Sequence, residues 1–140
     1  MELEHAEVES ILARWAVARL VTLGASGAPE PVPIVFAYVG GALFSPIDGK
    51  PKRGGELARV RNLARDPRVA VLLDHYEDDW SKLWWLRLEG RASLEPAAAH
   101  ADAVAALRAK YRQYERVALF AGEPRLIRVA VERTTSWRSA

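Results

Sequence analysis

Apolar positions along this chain change period several times, and each change marks an element. Val8, Ile11, Leu12 and Trp15 fall at helical spacing, which predicts an amphipathic helix over residues 3–15. Ala16 to Leu23 reads as a strand, closed by the turn Gly24-Ala25-Ser26-Gly27. Pro29, Pro31 and Pro33 are spaced by two around Val32, Ile34 and Val35. Proline has no N–H to donate, so this strand belongs at a sheet edge or a bulge. Unpaired carbonyls on such an edge offer a ligand ring somewhere to lie. Phe36-Ala37-Tyr38-Val39 and Ala42-Leu43-Phe44 flank Gly40-Gly41, the pattern of a tight hairpin.

Further on, Glu56 to Arg65 reads as a short helix with Leu57, Val60 and Leu63 on one face. Asp66-Pro67 stops it, because the residue before proline disfavours helical dihedrals. Arg68 to His75 is a dense apolar strand, and Tyr76-Glu77-Asp78-Asp79 an acidic turn. From Leu83 to Leu94 the chain alternates, with Leu86, Leu88, Gly90, Ala92 and Leu94 on one face. Pro96 opens an alanine-rich helix to about Arg116, striped by Val104, Leu107, Tyr111 and Tyr114. Leu126 to Arg133 alternates as the last strand, and Thr134 to Arg138 forms a tail. The tally is about six strands and three helices, joined mostly by short turns. Parallel winding needs helices between most strands. The pattern therefore predicts a mainly β, α+β fold: a six-stranded antiparallel barrel with peripheral helices, forming one domain over residues 1–140.

Composition narrows the partners. The chain has 140 residues, 50% hydrophobic and 27% charged, with a net charge of +2. Twenty basic residues nearly balance eighteen acidic ones, so a pI of about 9.1 overstates the basicity. Arg14, Arg59, Arg87, Arg108 and Arg128 are scattered and form no stripe, which ranks nucleic-acid binding last. Cysteine is absent, excluding disulfides and thiolate metal sites. No apolar run approaches the ~18 residues of a membrane span, and Met1-Glu2-Leu3-Glu4-His5 is not a signal-peptide core. The expectation is a cytoplasmic protein with neither membrane nor nucleic-acid partner.

Chemistry concentrates at Phe44 to Gly55. An apolar strand end becomes Asp48-Gly49-Lys50-Pro51-Lys52-Arg53, and two of the four lysines flank one proline. Fixed cations and free backbone N–H groups at a strand-to-helix junction suit a phosphate-bearing ligand, although a solvated basic loop has the same composition. His5 and His100 read as surface helix residues; His75 ends a buried strand, where a structural role competes with ligand binding. No His or carboxylate spacing fits a metal, and Ser45 and Ser81 lack a partner base. Leu83-Trp84-Trp85 sends one tryptophan into the core and the other outward, to a dimer surface or a ligand ring.

Several runs match a known pattern. Val32-Pro33-Ile34-Val35-Phe36, Asp48-Gly49-Lys50-Pro51-Lys52 and Arg61-Asn62-Leu63-Ala64-Arg65-Asp66-Pro67-Arg68-Val69 resemble the pyridoxamine-phosphate-oxidase-like split-barrel flavoproteins. Asp74-His75-Tyr76-Glu77-Asp78-Asp79-Trp80 and Leu83-Trp84-Trp85-Leu86-Arg87 resemble its deazaflavin-dependent actinobacterial branch, which uses coenzyme F-420. The resemblance runs from about residue 8 to Trp137-Arg138. It implies a homodimer with cofactor sites at the interface, and an oxidoreductase passing a hydride to or from a small conjugated or quinone-like substrate. It implies phosphate contacts at Lys50 and Lys52, with Pro51 between them and Asn62 in the same cofactor-binding pocket. The ring would lie near Pro33, Ser45 and Ile47, and Trp85 and Trp137 complete the cofactor-binding set. The oxidases that use flavin mononucleotide usually carry an Arg-rich strand where this chain has Ile34 to Tyr38, so FMN is the alternative cofactor. A cofactor or heme carrier without turnover is the alternative from another class. No catalytic residue is assigned.

Overall fold

The computed structural model describes residues 1–48 and 57–140. Its centre is one seven-stranded antiparallel sheet: β1 (Ala18–Leu23), β2 (Pro29–Ile34), β3 (Ala37–Val39), β4 (Ala42–Pro46), β5 (Arg68–His75), β6 (Trp84–Pro96) and β7 (Arg125–Arg138). The spatial order is β2-β1-β5-β6-β7-β4-β3. The two edge strands, β2 and β3, are therefore consecutive in the chain and joined only by Val35 and Phe36. Two residues span at most about 7 Å, so the sheet must curl until its edges meet. That closure, incomplete at the β2–β3 joint, is a split barrel.

The proline spacing explains the edge. Pro29, Pro31 and Pro33 pair with Leu23, Val21 and Arg19. Their spacing of two turns all three missing donors the same way, and β2 has a partner on one side only. The strand count differs from the expected six because the stretch from Pro29 to Val39 is divided in two. The Phe36 N–H and carbonyl bond the Tyr111 hydroxyl and the Lys110 ammonium instead of a ladder partner.

Among the described residues three α-helices pack against the sheet: α1 (His5–Arg14), α2 (Ala58–Arg65) and α3 (Ala101–Lys110). α2 buries Val60 and Leu63 as its apolar face requires, and Asp66 leaves it in extended backbone. The alanine-rich helix is shorter than its composition suggests. It is flanked by 3-10 turns at 97–99 and 112–115, so Tyr111 caps α3 and Tyr114 lies beyond it. β7 is longer than expected. Thr134 to Arg138 continue it and pair with Trp84 to Leu88 of β6, while Met1 and Leu3 hydrogen-bond Arg138 and Ser136.

Leu20, Val71, Leu73, Leu86, Leu88, Ile127 and Val129 are nearly sealed in the barrel interior. A second cluster, Phe44, Ala103, Leu107, Leu126 and Tyr111, packs α3 onto the outside of β3 and β4. A bulge between Glu89 and Gly90 breaks the long β6–β7 ladder. An added Cβ at Gly90 would sit 1.9 Å from the Ala130 carbonyl oxygen, so only glycine fits there. Among the described residues, no helix is long and apolar enough to cross a membrane.

Candidate cofactor site

Register decides which candidate residues share a surface. Pro33 stands opposite Arg19, Arg19 opposite Leu72, Leu72 opposite Arg87, and Arg87 opposite Thr135. Directly paired residues lie on one face of a sheet, so this row crosses five strands on the outer face. Two residues along, Asp74, Trp85 and Trp137 form a parallel row. The structure therefore brings Pro33, Trp85 and Trp137 onto one outer surface and makes the two tryptophans cross-strand neighbours.

The choice between Trp84 and Trp85 is settled by the same alternation. Trp84 turns inward, edge-on to Trp15 with centroids 4.8 Å apart. Trp85 turns outward and is half-buried. The Arg87 guanidinium lies 5.5 Å from its ring centroid, a cation–π contact that holds the indole against the sheet. Glu89 accepts from Arg133 at 3.2 Å, and its carboxylate lies 2.9 Å from Arg87 Nε as an ion pair without hydrogen-bond geometry. Leu72 is 36% exposed beside them. A cleft of about 360 Å³ opens further along, lined by Val21, Leu23, Ala70, Glu89 and Arg91 among others.

Other candidates lie elsewhere. Ser45 is buried on β4 with the interior-facing Leu43. Ile47 is buried just beyond the strand; its N–H donates to the Arg125 carbonyl and its carbonyl accepts from Ala121. Neither is brought to the outer row. Asn62 is 3% exposed, and its amide donates to Thr22 Oγ1 at 2.9 Å and Glu30 Oε1 at 2.8 Å. Its carbonyl oxygen accepts from Arg65. Both donors are thus committed to tying α2 to β1 and β2. Lys50, Pro51 and Lys52 lie outside the described residues.

The flanks of that basic segment are described, and they contain a buried Asp48–Tyr114 pair that the sequence pattern does not announce. Asp48, 4% exposed, accepts a 2.8 Å hydrogen bond from the Tyr114 hydroxyl. Burial, then the bond to Asp48, pushes the Tyr114 hydroxyl far above its ordinary range and keeps it protonated. Arg59, at the start of α2, has its pKa lowered by burial and partly restored by Asp48. Its Nε is buried, with no hydrogen-bond partner among the described residues. Asp48, Tyr114 and Arg59 thus frame both ends of the stretch between β4 and α2.

Two of the three histidines are occupied, while His5 is exposed on α1. His100 is half-buried, not a free surface group. Its Nε2 lies 2.5 Å from Glu95, and its ring packs 4.9 Å from Phe44. His75 Nε2 pairs with Glu77, and its ring stands edge-on to Trp15.

A seven-stranded antiparallel sheet curled until its edge strands meet, with helices packed against it, defines the class of split-barrel proteins. The family model described as pyridoxamine 5'-phosphate oxidase matches residues 5–138, and the chain belongs to that family. A conserved hypothetical protein of Mycobacterium tuberculosis shares the fold with a TM-score of 0.76 and 24% identity, over 97% of this chain and 85% of that one. A heme binding protein of Mycobacterium smegmatis matches with a TM-score of 0.76 and 22% identity, over 99% of this chain and 56% of that one. A FAD-binding protein of Mesorhizobium loti matches with a TM-score of 0.70 and 21% identity, over 97% and 95%. No curated protein matches the sequence.

Proposed function

We propose that this protein is an oxidoreductase that binds the deazaflavin coenzyme F-420 and reduces a small conjugated or quinone-like substrate, as a homodimer. The observation that carries the reading is the pairing of Trp85 with Trp137 on the outer face, in the row beside Pro33. Two half-buried indoles beside the exposed Leu72 on the outer sheet face call for a covering group. A planar ring from a cofactor, with the same face of a second copy behind it, provides one. Bound there, the deazaflavin supplies the hydride. The chain's own part is to position and to exclude water: Trp85 and Trp137 stack, Arg87 braces Trp85, and Pro33 packs the edge. Lys50 and Lys52 hold the phosphate between Asp48 and α2. The proton comes from solvent, because the Tyr114 proton is committed to Asp48.

FMN is the second reading, favoured by the FAD-binding neighbour of similar length. A heme carrier is less well supported. His75 and His100 both hold Nε2 against a glutamate, so ligation of iron through that atom would break a pair. The test is to titrate F-420 and FMN separately into apo-protein at low and high salt, following tryptophan quenching. The tailed cofactor has a polyglutamate chain to set against Arg53 and Arg61, whereas Arg59 is half-buried near Asp48. F-420 therefore binds more tightly, and its advantage shrinks as salt rises. Tighter FMN binding under both conditions transfers the assignment to FMN.

A further inference from the structure

The joint between the two sheet edges is held by side chains from the end of α3. The Phe36 N–H donates to the Tyr111 hydroxyl at 3.0 Å, and Lys110 Nζ donates to the Phe36 carbonyl at 3.0 Å. The Tyr111 hydroxyl proton goes to the Ala16 carbonyl at 2.8 Å, with the Phe36 carbonyl a second acceptor at 3.1 Å. Lys110 Nζ also lies 3.5 Å from the centre of the Phe36 ring. One ammonium and one phenol thus clamp a single residue from both sides and tie it to the start of β1.

That residue lies two positions beyond the end of β2 and directly before β3. β2 pairs with β1 alone, so its outer edge has no ladder to hold it. Pro33 stands three residues before Phe36, on the outer face in the row of Arg87. A strand paired on one side frays from its ends unless its end is pinned. The clamp at Phe36 is that pin.

We infer that Lys110 is a positioning residue: with Tyr111 it pins the Phe36 joint and so sets where Pro33 stands against the bound cofactor. The inference rests on the cofactor reading above. The ammonium is strong here because it joins a charge-assisted hydrogen bond to a cation–π contact. It is also the part that can be switched off. Burial lowers the Lys110 pKa to about 8. The surrounding titratable groups do not reverse this. Tyr111 stays a phenol, its pKa raised by burial. Tyr114, 6.1 Å from the Tyr111 ring, is bonded to Asp48. Tyr38 on β3 is raised by burial and then by Glu9 of α1. Above about pH 8 the neutral amine keeps a weaker hydrogen bond and loses the cation–π contact.

Two measurements decide it. F-420 affinity of the wild type, followed by tryptophan quenching, weakens roughly fivefold between about pH 7 and about pH 9.5. K110R stays charged, retains the affinity seen near neutrality and shows no such slope. K110M is roughly fivefold weaker at neutrality and equally flat. Hydrogen exchange of peptides covering 29–39, measured without cofactor at neutral pH, is faster in K110M than in wild type and unchanged in K110R. A pH-independent wild type, a slope retained in K110R, or unchanged exchange in K110M overturns the inference. Should the wild type bind neither F-420 nor FMN, the cofactor reading fails, and the exchange comparison still decides the pin.

Discussion

Trp85 on β6 stands directly across the ladder from Trp137 on β7, with both indoles on the outer face of the sheet. Trp84, one residue earlier, packs into the interior against Trp15. The two pairs have different work. The inner pair belongs to the core. The outer pair is half-buried, on a face that also carries Arg19, Leu72, Asp74, Arg87 and Glu89.

Removing an outer indole should cost binding and spare the fold. Trp137→Ala is expected to weaken cofactor binding by about 1 kcal/mol, roughly fivefold. The melting temperature changes little, since the ring is not part of the interior cluster. Isothermal titration and thermal denaturation on the same samples check this. Unchanged affinity would place the ring elsewhere.

Lys52→Ala is expected to lose one charge-assisted contact to a phosphate, about 1.5–3 kcal/mol, or ten- to a hundred-fold in affinity. Thermal stability stays near wild type. Lys50→Ala behaves the same way. Full affinity in both single variants moves the phosphate site out of this segment.

Asn62 sets the opposite pattern. Its buried amide satisfies Thr22 and Glu30 at once. Asn62→Ala leaves the Thr22 hydroxyl, 1% exposed, without that partner, at a cost of about 1–3 kcal/mol in folding. Urea denaturation should show a lower midpoint with an unchanged slope. A variant as stable as wild type but poor in cofactor binding would return Asn62 to the pocket.

Acid unfolding should carry one identifiable local signature. Arg68 bonds the Asp66 carboxylate and holds its pKa down to about 2, against an ordinary value of 3.8. A depressed carboxyl stabilises the fold above the unfolded pKa and loses that contribution as pH falls through the folded one. The stability gap between wild type and Asp66→Asn is therefore constant above about pH 5 and closes towards about pH 2. A gap that persists at the acid end contradicts the pairing.

The strands were legible because alternation survives wherever one face is buried. Leu86 and Leu88 against Arg87 and Glu89 are enough to define β6. The break at Val35-Phe36 was not legible. It is made by Tyr111 and Lys110, about 75 residues away, and nothing in the local pattern announces them. Thr134 to Arg138 looked like a tail because their strand character comes from pairing with Trp84 to Leu88. For the site, the sequence offered residue types without register. Pro33, Trp85 and Trp137 share a face only once β1, β5, β6 and β7 are aligned. The same alignment leaves Ser45 with the interior side of β4.

The most direct test of the central claim, a deazaflavin stacked on the outer tryptophans, is F-420 binding to wild type and to a Trp85→Phe, Trp137→Phe variant, with light scattering on both. The account predicts a dimer that binds about one F-420 per chain, with strong quenching of tryptophan emission in wild type and much less in the variant. A monomer, or a variant whose remaining tryptophans are quenched as strongly as the wild type, would contradict it.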